Sequence, residues 1–286
     1  MIFFILNPKS GNKSNMLLGE MMEKLKEVPN SELRVTSRMG EAADFSKEII
    51  QQKPDRIIAI GGDGTINEVA SGMLYSGIPL GIVPSGSGNG LAGHMKLSSN
   101  FDKALQQALH GNIHTMDAAY FNDKPFFCTA GIGFDAAVAH HFAKSTHRGF
   151  LNYVRSTIIT LLGYKDIRIS ILKDSKIEEE KVFSSTWANA NQYGNNAIIS
   201  PFSEIGDGKI EWIMIRPLHL MQIFILPLQL FSGKLHNNNF VRISSIEEME
   251  IKYESNRPYH LDGEIFMTDR DHIQIKIAKG AMKVIY

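Results

Sequence analysis

The sequence predicts an α/β plus β protein: an N-terminal doubly wound α/β domain over residues 1–117, followed by a largely antiparallel β-sandwich over residues 118–271. Three observations carry this prediction. Before Asp117, short β-branched runs alternate with helical patterns, which is typical of a mostly parallel sheet with helices on both faces. After Asp117, short alternating apolar runs predominate. Glycine-rich turns follow several of the first strands, at the sheet edge where α/β proteins bind ligands.

The elements of the first domain follow from apolar spacing and from turn residues. A helix over 41–52 places Ala42, Phe45 and Ile49 on one stripe, and Pro54 ends it before the next strand. The predicted strands are 2–6, 32–36, 56–60 and 80–83. The predicted helices are about 14–27 (beginning at Ser14), 41–52, 66–75, a segment beginning near Leu91, and 101–109, which Gly111 closes.

The second domain contains one helical segment, roughly 135–162, among short strand patterns. The predicted strands are 118–121, 124–130, 167–173, 181–190, 209–215, 241–243, 247–253 and 272–278. Strands this short, separated by turn residues, are typical of a sandwich rather than of a parallel sheet.

The charge balance and the cysteine count exclude several classes of protein. Lys+Arg and Asp+Glu each total 30, so no global field draws the chain to nucleic acid, and any membrane contact needs a local patch. Cys128 is the only cysteine, which excludes disulfide scaffolds and cysteine-based zinc sites and favours a reducing compartment. Because Cys128 has apolar neighbours, we expect a buried core thiol rather than a nucleophile.

No stretch of the sequence predicts a membrane span or a secretory signal. The most apolar window, Leu218–Phe231, falls short of the ~20 apolar residues that cross a bilayer. The segment Met1–Leu6 lacks a basic region and is too short for a signal peptide, so it is predicted to be a buried strand. A soluble protein is expected.

The loop that follows the third predicted strand indicates phosphoryl-transfer chemistry. Gly61, Gly62 and Gly64 surround Asp63, and a helical pattern follows at once. Glycines bring backbone N–H groups close to a ligand, and a helix N-terminus attracts phosphate. An aspartate in such a loop repels phosphate, so it suits holding Mg²⁺ or accepting a hydroxyl proton.

A structural interpretation of the same loop stays open. Glycine-rich strand-to-helix turns are common, and Thr65-x-x-Glu68 matches a capping box. Glu68 is therefore predicted to cap a helix rather than to take part in catalysis.

Two further turns lie at corresponding positions. Asn7–Gly11 follows the first predicted strand, and Pro84–Gly90 follows the fourth. Since the carboxyl ends of parallel strands share one edge of a sheet, the three turns are expected to form one phosphate site.

Six sequence blocks, in content, order and spacing, resemble the diacylglycerol/sphingosine lipid kinase family over nearly the whole chain. They are Asn7-Pro8-x-Ser10-Gly11, Gly61-Gly62-Asp63-Gly64-Thr65-x-Asn67-Glu68-Val69, Pro84-x-Gly86-Ser87-Gly88-Asn89-x-Leu91-Ala92, Gly131-Ile132-Gly133-Phe134-Asp135-Ala136, Asn191-x-x-Gly194 with Asp207-Gly208, and Leu261-Asp262-Gly263-Glu264.

The resemblance implies a nucleotide-binding domain related to those of NAD kinases and phosphofructokinases, then a lipid-binding β-sandwich. It implies that a C-terminal strand, about 272–286, returns to the first domain. It also implies that ATP and Mg²⁺ are used to phosphorylate a primary hydroxyl of a lipid, in peripheral contact with the cytoplasmic face of the inner membrane. No nucleic-acid partner is expected, and a homodimer is left open.

The resemblance also implies roles for individual residues. Asp63, Asp117 and Glu264 would be catalytic, with Glu264 as the general base and with Asp63 and Asp117 organising Mg²⁺ through water. Asn67, Glu68 and Asp262 would support the site. The residues implied to line the nucleotide are Asn7, Ser10, Gly61, Gly62, Gly64, Thr65, Gly86, Ser87, Gly88 and Asn89.

Each of the later positions has a structural alternative. Asp262-Gly263 between alternating runs suits a two-residue hairpin turn. Asp117 could end a strand, and Asp135 could cap the helix after Gly133. The histidines His140, His141 and His147 lack zinc-ligand spacing and are predicted to be solvated helix positions.

One position departs from the diacylglycerol kinase pattern. Where those kinases carry an aspartate after the asparagine of the third block, this sequence has Gly90, as the sphingosine-kinase branch has a small residue. The departure favours a long-chain base, and diacylglycerol stays open. The alternatives are an NAD or sugar kinase-like enzyme and a nucleotide-binding regulatory protein without turnover. For Leu218–Phe231, a membrane-docking or lipid-gating helix is weighed against an ordinary core helix or strand pair, which is favoured.

Overall fold

The computed structural model describes residues 1–11, 15–144, 150–173 and 176–286 of the chain. Its internal contacts divide the chain into two compact units. The first unit comprises Met1–Met116 and Gly280–Tyr286, and the second comprises Asp117–Lys279.

The first unit is built on a parallel sheet with the strand order β2-β1-β3-β4, next to the end of β16. The strands are β1 (Ile2–Leu6), β2 (Ser31–Val35), β3 (Arg56–Gly61), β4 (Pro79–Pro84) and β16 (His272–Ile285). The last residues of β16, from Lys283 to Ile285, run parallel to β4 from Pro79 to Gly81. The four consecutive residues from Ile57 to Ile60 are fully buried, which is typical of a strand covered on both faces.

Helices cover both faces of this sheet, as predicted. They are α1 (Asn15–Lys26), α2 (Glu41–Ile49) with a 3₁₀ turn at 50–52, α3 (Asp63–Met73), α4 (Gly90–His94) and α5 (Phe101–His110). Phe4 and Leu6 pack against α1 and α5, and the alternate strand positions face α2 and α3. The predicted beginning of α1 at Ser14 lies outside the described residues.

Helix α3 begins three residues earlier than the sequence analysis predicts. Gly62 is its N-cap, so Asp63 and Gly64 belong to the first turn rather than to the preceding loop. A negative side chain such as that of Asp63 stabilises a helix N-terminus. This stabilisation offsets the low helix propensity of Gly64, the residue that suggested a loop.

The second unit contains a six-stranded antiparallel sheet with the order β12-β11-β10-β7-β14-β15 and an antiparallel set β16-β13-β8-β9, with β5 pairing β16 and β6. Its strands are β5 (Ile113–Phe121), β6 (Lys124–Phe126), β7 (Thr129–Gly133), β8 (Ile167–Lys173), β9 (Lys176–Val182), β10 (Ser184–Ala188), β11 (Ile210–Ile215), β12 (Val241–Ile246), β13 (Glu248–Lys252), β14 (Pro258–Leu261) and β15 (Glu264–Met267). This arrangement confirms the predicted largely antiparallel sandwich.

The core of the sandwich lies between these two sets of strands. Phe121 on β5 stacks on Tyr259 of β14 with ring centroids 4.3 Å apart, and it meets Trp187 of β10 edge-on. Trp187 is fully buried. Cys128 is buried as predicted, and its Sγ–H donates to the Gln192 carbonyl.

Two predicted strands of the second unit are each divided in the structure. The run 124–130 forms β6 and β7, and the run 181–190 contains the end of β9 and β10. At each division the chain passes from one sheet to the other. At Phe183 the backbone turns between the sheets, and its N–H donates to the Ile215 carbonyl. A continuous strand pattern does not reveal such a corner, because the two sheets bury the residues on both sides of it.

Three helices complete the second unit: α6 (Phe134–Ala143), α7 (Phe150–Gly163) and α8 (Leu220–Ser232), followed by a 3₁₀ turn at 235–237. The favoured core interpretation of Leu218–Phe231 is wrong, because within α8 only Leu226 is buried. No helix in the described parts of the chain is long and apolar enough to cross a membrane.

The histidines on α6 are half-buried rather than solvated. Burial lowers the pKa of His140, because the imidazolium form loses water contact. No group of three potential metal-ligating side chains occurs among the described residues, and His147 lies outside them.

Asp262 and Gly263 form the two-residue turn of the hairpin between β14 and β15, with Leu261 paired to Glu264. Both turn residues have positive φ, 48° and 84°, as a type I′ turn requires. The Asp262 carboxylate accepts hydrogen bonds from the backbone N–H groups of Phe127, Cys128 and Thr129, at 2.8–3.0 Å. One buried carboxylate therefore holds the turn to the bend between β6 and β7.

We predict that Gly72→Ala destabilises the first unit, although alanine normally stabilises a helix interior by up to about 1 kcal/mol. A Cβ at Gly72 would lie 1.9 Å from Ser46 Oγ and 2.8 Å from the Ala43 carbonyl oxygen on α2. The clash should cost about 1–3 kcal/mol of unfolding free energy. The control, Gly19→Ala on α1, has nothing within 4 Å and should be neutral or stabilising. Urea unfolding measures both; equal effects of the two variants would contradict the prediction.

We predict that Asp262→Asn lowers the free energy of unfolding by about 1–3 kcal/mol, because an amide –NH₂ would face a buried N–H donor. Asp269→Asn, an exposed change in the same unit, should stay within about 0.5 kcal/mol of the parent. Denaturant unfolding of the three proteins is the measurement, and a shift no larger than that of Asp269→Asn would show that the three amide bonds contribute nothing.

Candidate active site

Three loops of the first unit meet at the carboxyl ends of β1, β3 and β4. We call residues 7–11, 61–65 and 84–90 the glycine loop cluster. The Asn7 N–H donates to the Ile60 carbonyl at 3.0 Å, and the Ser85 N–H donates to the Gly61 carbonyl at 2.8 Å. The main chain therefore joins the first loop to the second and the second to the third.

The loops approach so closely that side chains would separate them. A Cβ at Gly86 would lie 2.6 Å from Gly62 Cα, and a Cβ at Gly11 would lie 2.2 Å from the Ser85 carbonyl oxygen. Gly11 also has a φ of +72°. A Cβ at Gly62 would lie 3.3 Å from Ser10 Oγ, which places that hydroxyl over the second loop. Backbone N–H groups can approach a ligand from several sides only when glycines permit this packing.

Asn7 and Thr65 hold the first loop to the second through their side chains. Asn7 Nδ2 donates to Thr65 Oγ1 at 2.9 Å, and Asn7 Oδ1 accepts from the Lys9 N–H at 3.0 Å. Thr65 is buried, and a Cβ at Gly61 would lie 2.4 Å from its Cβ. These two residues thus position the loops, whatever they contact in a bound ligand.

Asp63 joins the second loop to the third. Its Oδ2 accepts from the Asn89 N–H and its Oδ1 from the Gly90 N–H, both at 2.8 Å. Asn89 closes its own loop, because its side chain both accepts from the Gly86 N–H and donates to the Gly86 carbonyl. At Gly90 the backbone, rather than a side chain, therefore meets the carboxylate.

The cluster is suited to phosphate. Helix α3 begins inside it, and its N-cap, Gly62, has no side chain to satisfy the N–H groups of the first turn. The positive end of the α3 macrodipole lies at this N-terminus, so it favours an anion at the same place as the free N–H groups of the first turn. The predicted residues Ser10, Gly64 and Gly88 are half-buried, and Ser87 is exposed.

The donor set around Asp63 fits a water-mediated Mg²⁺. Each oxygen of the Asp63 carboxylate accepts from one loop amide, and a carboxylate is a side chain that Mg²⁺ uses. Magnesium keeps several waters and uses one or two carboxylates, with phosphate oxygens completing its octahedron. The assignment of Mg²⁺ to Asp63 and Asp117 stays a prediction.

The capping-box interpretation of Thr65-x-x-Glu68 is wrong. Thr65 lies inside α3, and Glu68 instead accepts from the N–H groups of Gly40 and Ala42, at 2.8 and 3.2 Å. Glu68 therefore caps the N-terminus of α2, where Gly40 has no side chain to do so. Asn67 Oδ1 accepts from Ser71 Oγ at 3.3 Å.

Asp117 and Glu264, the other predicted catalytic residues, belong to the second unit. Asp117 is buried, and its carboxylate accepts from the Gly208 N–H at 2.6 Å, closing a turn that begins at Ile205. Glu264 is the half-buried first residue of β15, directly after the fixed turn at Asp262. Asp262 thus fixes the turn from which β15 begins, and its supporting role stays a prediction. The catalytic roles of Asp117 and Glu264 stay predictions.

A buried polar cluster of the second unit was not predicted. Asp135 Oδ2 contacts Thr186 Oγ1 at 2.8 Å, Tyr193 OH at 3.1 Å and His260 Nε2 at 3.2 Å. A Cβ at Gly131 would lie 2.1 Å from Asp135 Oδ2, so the glycine is required for the cluster to form. The sequence signal was the block around Asp135, but no pattern pairs it with His260, 125 residues away.

Asp135 also differs from the predicted helix cap. Gly133 is the N-cap of α6, and Asp135 lies inside the first turn, where its Oδ1 accepts from the Ala136 N–H. The charge of Asp135 reaches further, because it adds to burial in raising the pKa of Tyr164 well above its usual range.

Comparisons with known proteins agree with this geometry. A family model described as the diacylglycerol kinase catalytic domain matches residues 1–121, and one described as the YegS C-terminal NAD kinase beta sandwich-like domain matches residues 128–286. A probable lipid kinase YegS-like protein of Pectobacterium atrosepticum is 26% identical over 280 residues, covering 95% of this chain and 91% of the relative.

Two further proteins are similar along most of their length. A diacylglycerol kinase of Bacillus subtilis is 24% identical over 267 residues, covering 91% of this chain and 88% of the relative. A crystal structure of a diacylglycerol kinase from Bacillus anthracis has a TM-score of 0.72 at 19% identity, covering 100% of this chain and 96% of that one. This last similarity establishes the fold.

The second family model alone spans more than half of the residues, and the two models together span nearly all of them. The chain therefore belongs to the lipid kinase family that joins a diacylglycerol kinase catalytic domain to a YegS-type β-sandwich domain.

Proposed function

We propose that this protein transfers the γ-phosphoryl group of ATP to a primary hydroxyl of a membrane lipid. One observation carries the proposal: three glycine loops meet around the Asp63 carboxylate at the N-terminus of α3. The relatives named diacylglycerol kinase and lipid kinase, which match along nearly their whole length, support the lipid as acceptor.

In the proposed reaction the lipid hydroxyl oxygen attacks the γ-phosphorus, and the bond between that phosphorus and the β,γ-bridging oxygen breaks, so that ADP leaves. The hydroxyl proton passes to the Glu264 carboxylate. The loop amides would hold the phosphates in line with the attacking oxygen, which supplies most of the catalysis in phosphoryl transfer. Bound Mg²⁺ would neutralise phosphate charge.

Asp63 has a structural part in this proposal as well as an electrostatic one. Its two amide bonds fix the third loop against the second, so the positions of the phosphate-binding amides depend on one carboxylate. Asp262 plays a corresponding part for Glu264, because it fixes the hairpin turn from which β15 begins.

Diacylglycerol is the lipid we propose first. The inference toward a long-chain base rests on Gly90, and the contact that Gly90 makes with Asp63 uses its backbone N–H. A position that acts through its backbone reports on loop geometry rather than on a lipid tail. The names of the relatives favour diacylglycerol. We propose the cytoplasmic face of the membrane as the place of action, since ATP and the lipid meet there.

The test is transfer of label from γ-labelled ATP, with Mg²⁺, to a panel of lipids in detergent micelles. The panel holds diacylglycerol, monoacylglycerol, sphingosine and undecaprenol, with NAD as a non-lipid control. We expect label on diacylglycerol and a loss of about 10²–10⁴-fold in Glu264→Gln, whose amide cannot accept the proton. Glu178→Gln, an exposed change on β9, should keep full activity. Label on NAD alone would overturn the lipid assignment, and full activity of Glu264→Gln would overturn the base.

We predict that Asp63→Asn lowers turnover by about 10²–10⁴-fold and nucleotide affinity by about tenfold, or ~1.4 kcal/mol. The amide nitrogen would face a loop N–H donor, so one of the two 2.8 Å bonds is lost together with the charge. Steady-state kinetics and equilibrium nucleotide binding measure the two effects separately.

The matched control is Asp102→Asn in the same unit, whose carboxylate forms only an exposed ion pair with Lys24. It should leave both quantities unchanged. Undiminished turnover of Asp63→Asn would refute the role of the carboxylate, and loss of binding with no measurable turnover even in the parent would favour a nucleotide-binding regulator.

A further inference from the structure

The third loop of the glycine loop cluster contains the only Asn-Gly pair in the chain, Asn89-Gly90. An asparagine side chain can react with the backbone nitrogen of the residue that follows it, and a side chain on that next residue obstructs the approach. Because glycine has no side chain, Asn-Gly is the dipeptide in which this reaction is fastest. Gly90 therefore makes Asn89 a candidate for chemical modification.

The folded loop binds the side-chain amide of Asn89 at both ends. Oδ1 accepts from the Gly86 N–H at 2.9 Å, and Nδ2 donates to the Gly86 carbonyl oxygen at 2.8 Å. The backbone of Asn89 is left-handed, with φ 54° and ψ 51°, a conformation that asparagine tolerates better than most residues. Gly86 therefore restrains the side chain that the reaction needs to turn toward Gly90.

The backbone nitrogen of Gly90 is restrained as well. Its N–H donates to Asp63 Oδ1 at 2.8 Å, and Gly90 is buried. The reaction requires this nitrogen to lose its proton, and negative charge beside a carboxylate is unfavourable. The N–H of Asn89 donates to the other oxygen of the same carboxylate. Asp63 therefore suppresses the nucleophile, while Gly86 restrains the carbon that it would attack.

Both restraints belong to the closed state of the third loop. Asp63 lies on α3, so movement of the third loop away from α3 breaks the bonds of Asn89 and Gly90 to its carboxylate. Ligand-binding loops are among the least stable parts of a protein, and they open without global unfolding. We propose that Asn89 is a site of spontaneous deamidation, and that the reaction proceeds from an open form of the third loop in which the bonds to Asp63 are broken.

The reaction needs only water and hydroxide. The Gly90 nitrogen gives its proton to hydroxide and attacks Asn89 Cγ, so that the N–Cγ bond forms and the Cγ–Nδ2 bond breaks. The leaving nitrogen takes a proton from water and departs as ammonia, which leaves a cyclic succinimide and restores the hydroxide. Water then opens the ring at Cγ to give aspartate, or at the main-chain carbonyl of Asn89 to give isoaspartate.

Either product alters the candidate site. Nδ2, which donates to the Gly86 carbonyl, is replaced by a carboxylate oxygen that this carbonyl repels. The added negative charge lies on the residue whose N–H binds Asp63, so it also disfavours phosphate. In isoaspartate the main chain gains an atom between Asn89 Cα and the Gly90 nitrogen, so the two N–H groups lose the spacing with which they bind Asp63.

Nucleotide bound at the glycine loop cluster is expected to protect Asn89, and this step alone rests on the proposed function. A ligand that binds only the closed form lowers the open population by a factor of one plus the ratio of its concentration to Kd. The rate should therefore fall about tenfold at a ligand concentration of about ten times Kd. Protein without nucleotide would lose its site through Asn89, whereas protein saturated with nucleotide would keep it.

Incubation of the full chain in mildly alkaline buffer, followed by peptide mass spectrometry, tests the proposal. The internal reference is Asn30, which precedes Ser31, is exposed, and also has a positive φ of 56°. We expect conversion of Asn89 to aspartate and isoaspartate in the folded chain, more slowly than in the chain unfolded in urea. Equal rates in the folded and unfolded chains, or no conversion of Asn89 while Asn30 converts, would overturn the proposal.

The variant Asp63→Ala separates loop opening from global unfolding. It removes both bonds to the third loop, so the rate at Asn89 should rise at least about tenfold. The matched control, Asp102→Ala, removes only an exposed ion pair with Lys24 and should leave the rate unchanged. Gly72→Ala, which we expect to destabilise the first unit without touching the third loop, should also leave it unchanged. An unchanged rate in Asp63→Ala, or an equal rise in Gly72→Ala, would overturn the proposal.

Two further measurements use chains that keep Asp63. Gly90→Ala places a methyl group beside the attacking nitrogen, so it should slow conversion at Asn89 but not at Asn30; equal slowing of both would overturn the assignment of the nucleophile. ATP with Mg²⁺, added to the parent, should slow Asn89 and leave Asn30 unchanged. Faster conversion in Asp63→Ala without protection of the parent by ATP would overturn the nucleotide site of the proposed function and leave the modification site standing.

Discussion

The close contact between the backbones at Gly62 and Gly86 is the constraint on which the candidate site depends. Two loops that follow neighbouring parallel strands normally stay apart by the width of their side chains. Here both positions lack a side chain, and a Cβ at Gly86 would lie 2.6 Å from Gly62 Cα. Once the loops touch, Asp63 can reach two amides of the third loop, and the N-terminus of α3 opens onto the same space. The glycines thus bring main-chain donors together at one point, and the carboxylate fixes them there.

Carboxylates in the second unit are used in the same physical way. Asp117 accepts from one backbone N–H and Asp262 from three, and both are buried. A buried carboxylate is costly unless donors surround it, and backbone amides at a bend supply them without a counter-charge. Acidic residues in this chain therefore hold turns in place in both units. Sequence blocks that suggest catalysis are in part the blocks that define the shape of the backbone.

Much of the fold could be predicted from the sequence, because the signals were local. Strand β1 and helix α5 agree with their predicted ranges to within one residue, since apolar periodicity and flanking turn residues define them. The predictions failed where the outcome depends on distant partners. Glu68 caps a helix 26 residues earlier in the chain, and Asp135 contacts His260, which lies 125 residues later. Capping rules consider only neighbouring residues. They therefore assigned Glu68 to the cap of its own helix rather than of α2, and Asp135 to the N-cap of α6 rather than to its first turn.

The core interpretation of Leu218–Phe231 failed for a related reason. Apolar side chains at helical spacing predict that a helix will form, but they do not tell which of its faces will find a partner. Leu226 and Leu230 on the inner side of α8 pack against a cluster that includes Phe183 and Ile213, whereas Leu220, Phe224 and Leu228 are exposed. Only the packed structure separates the two.

The path of β16 has a consequence for synthesis on the ribosome. Residues 1–116 emerge first, yet the segment that lies beside β4 is 283–285, and 280–286 belong to the same compact unit. Until that segment emerges, β4 presents an unpaired edge, which is the feature of a sheet most prone to wrong pairing. The first unit therefore cannot complete its fold as the chain emerges and must wait until the second unit has been made. The unit that begins the chain is thus the unit that its last residues complete.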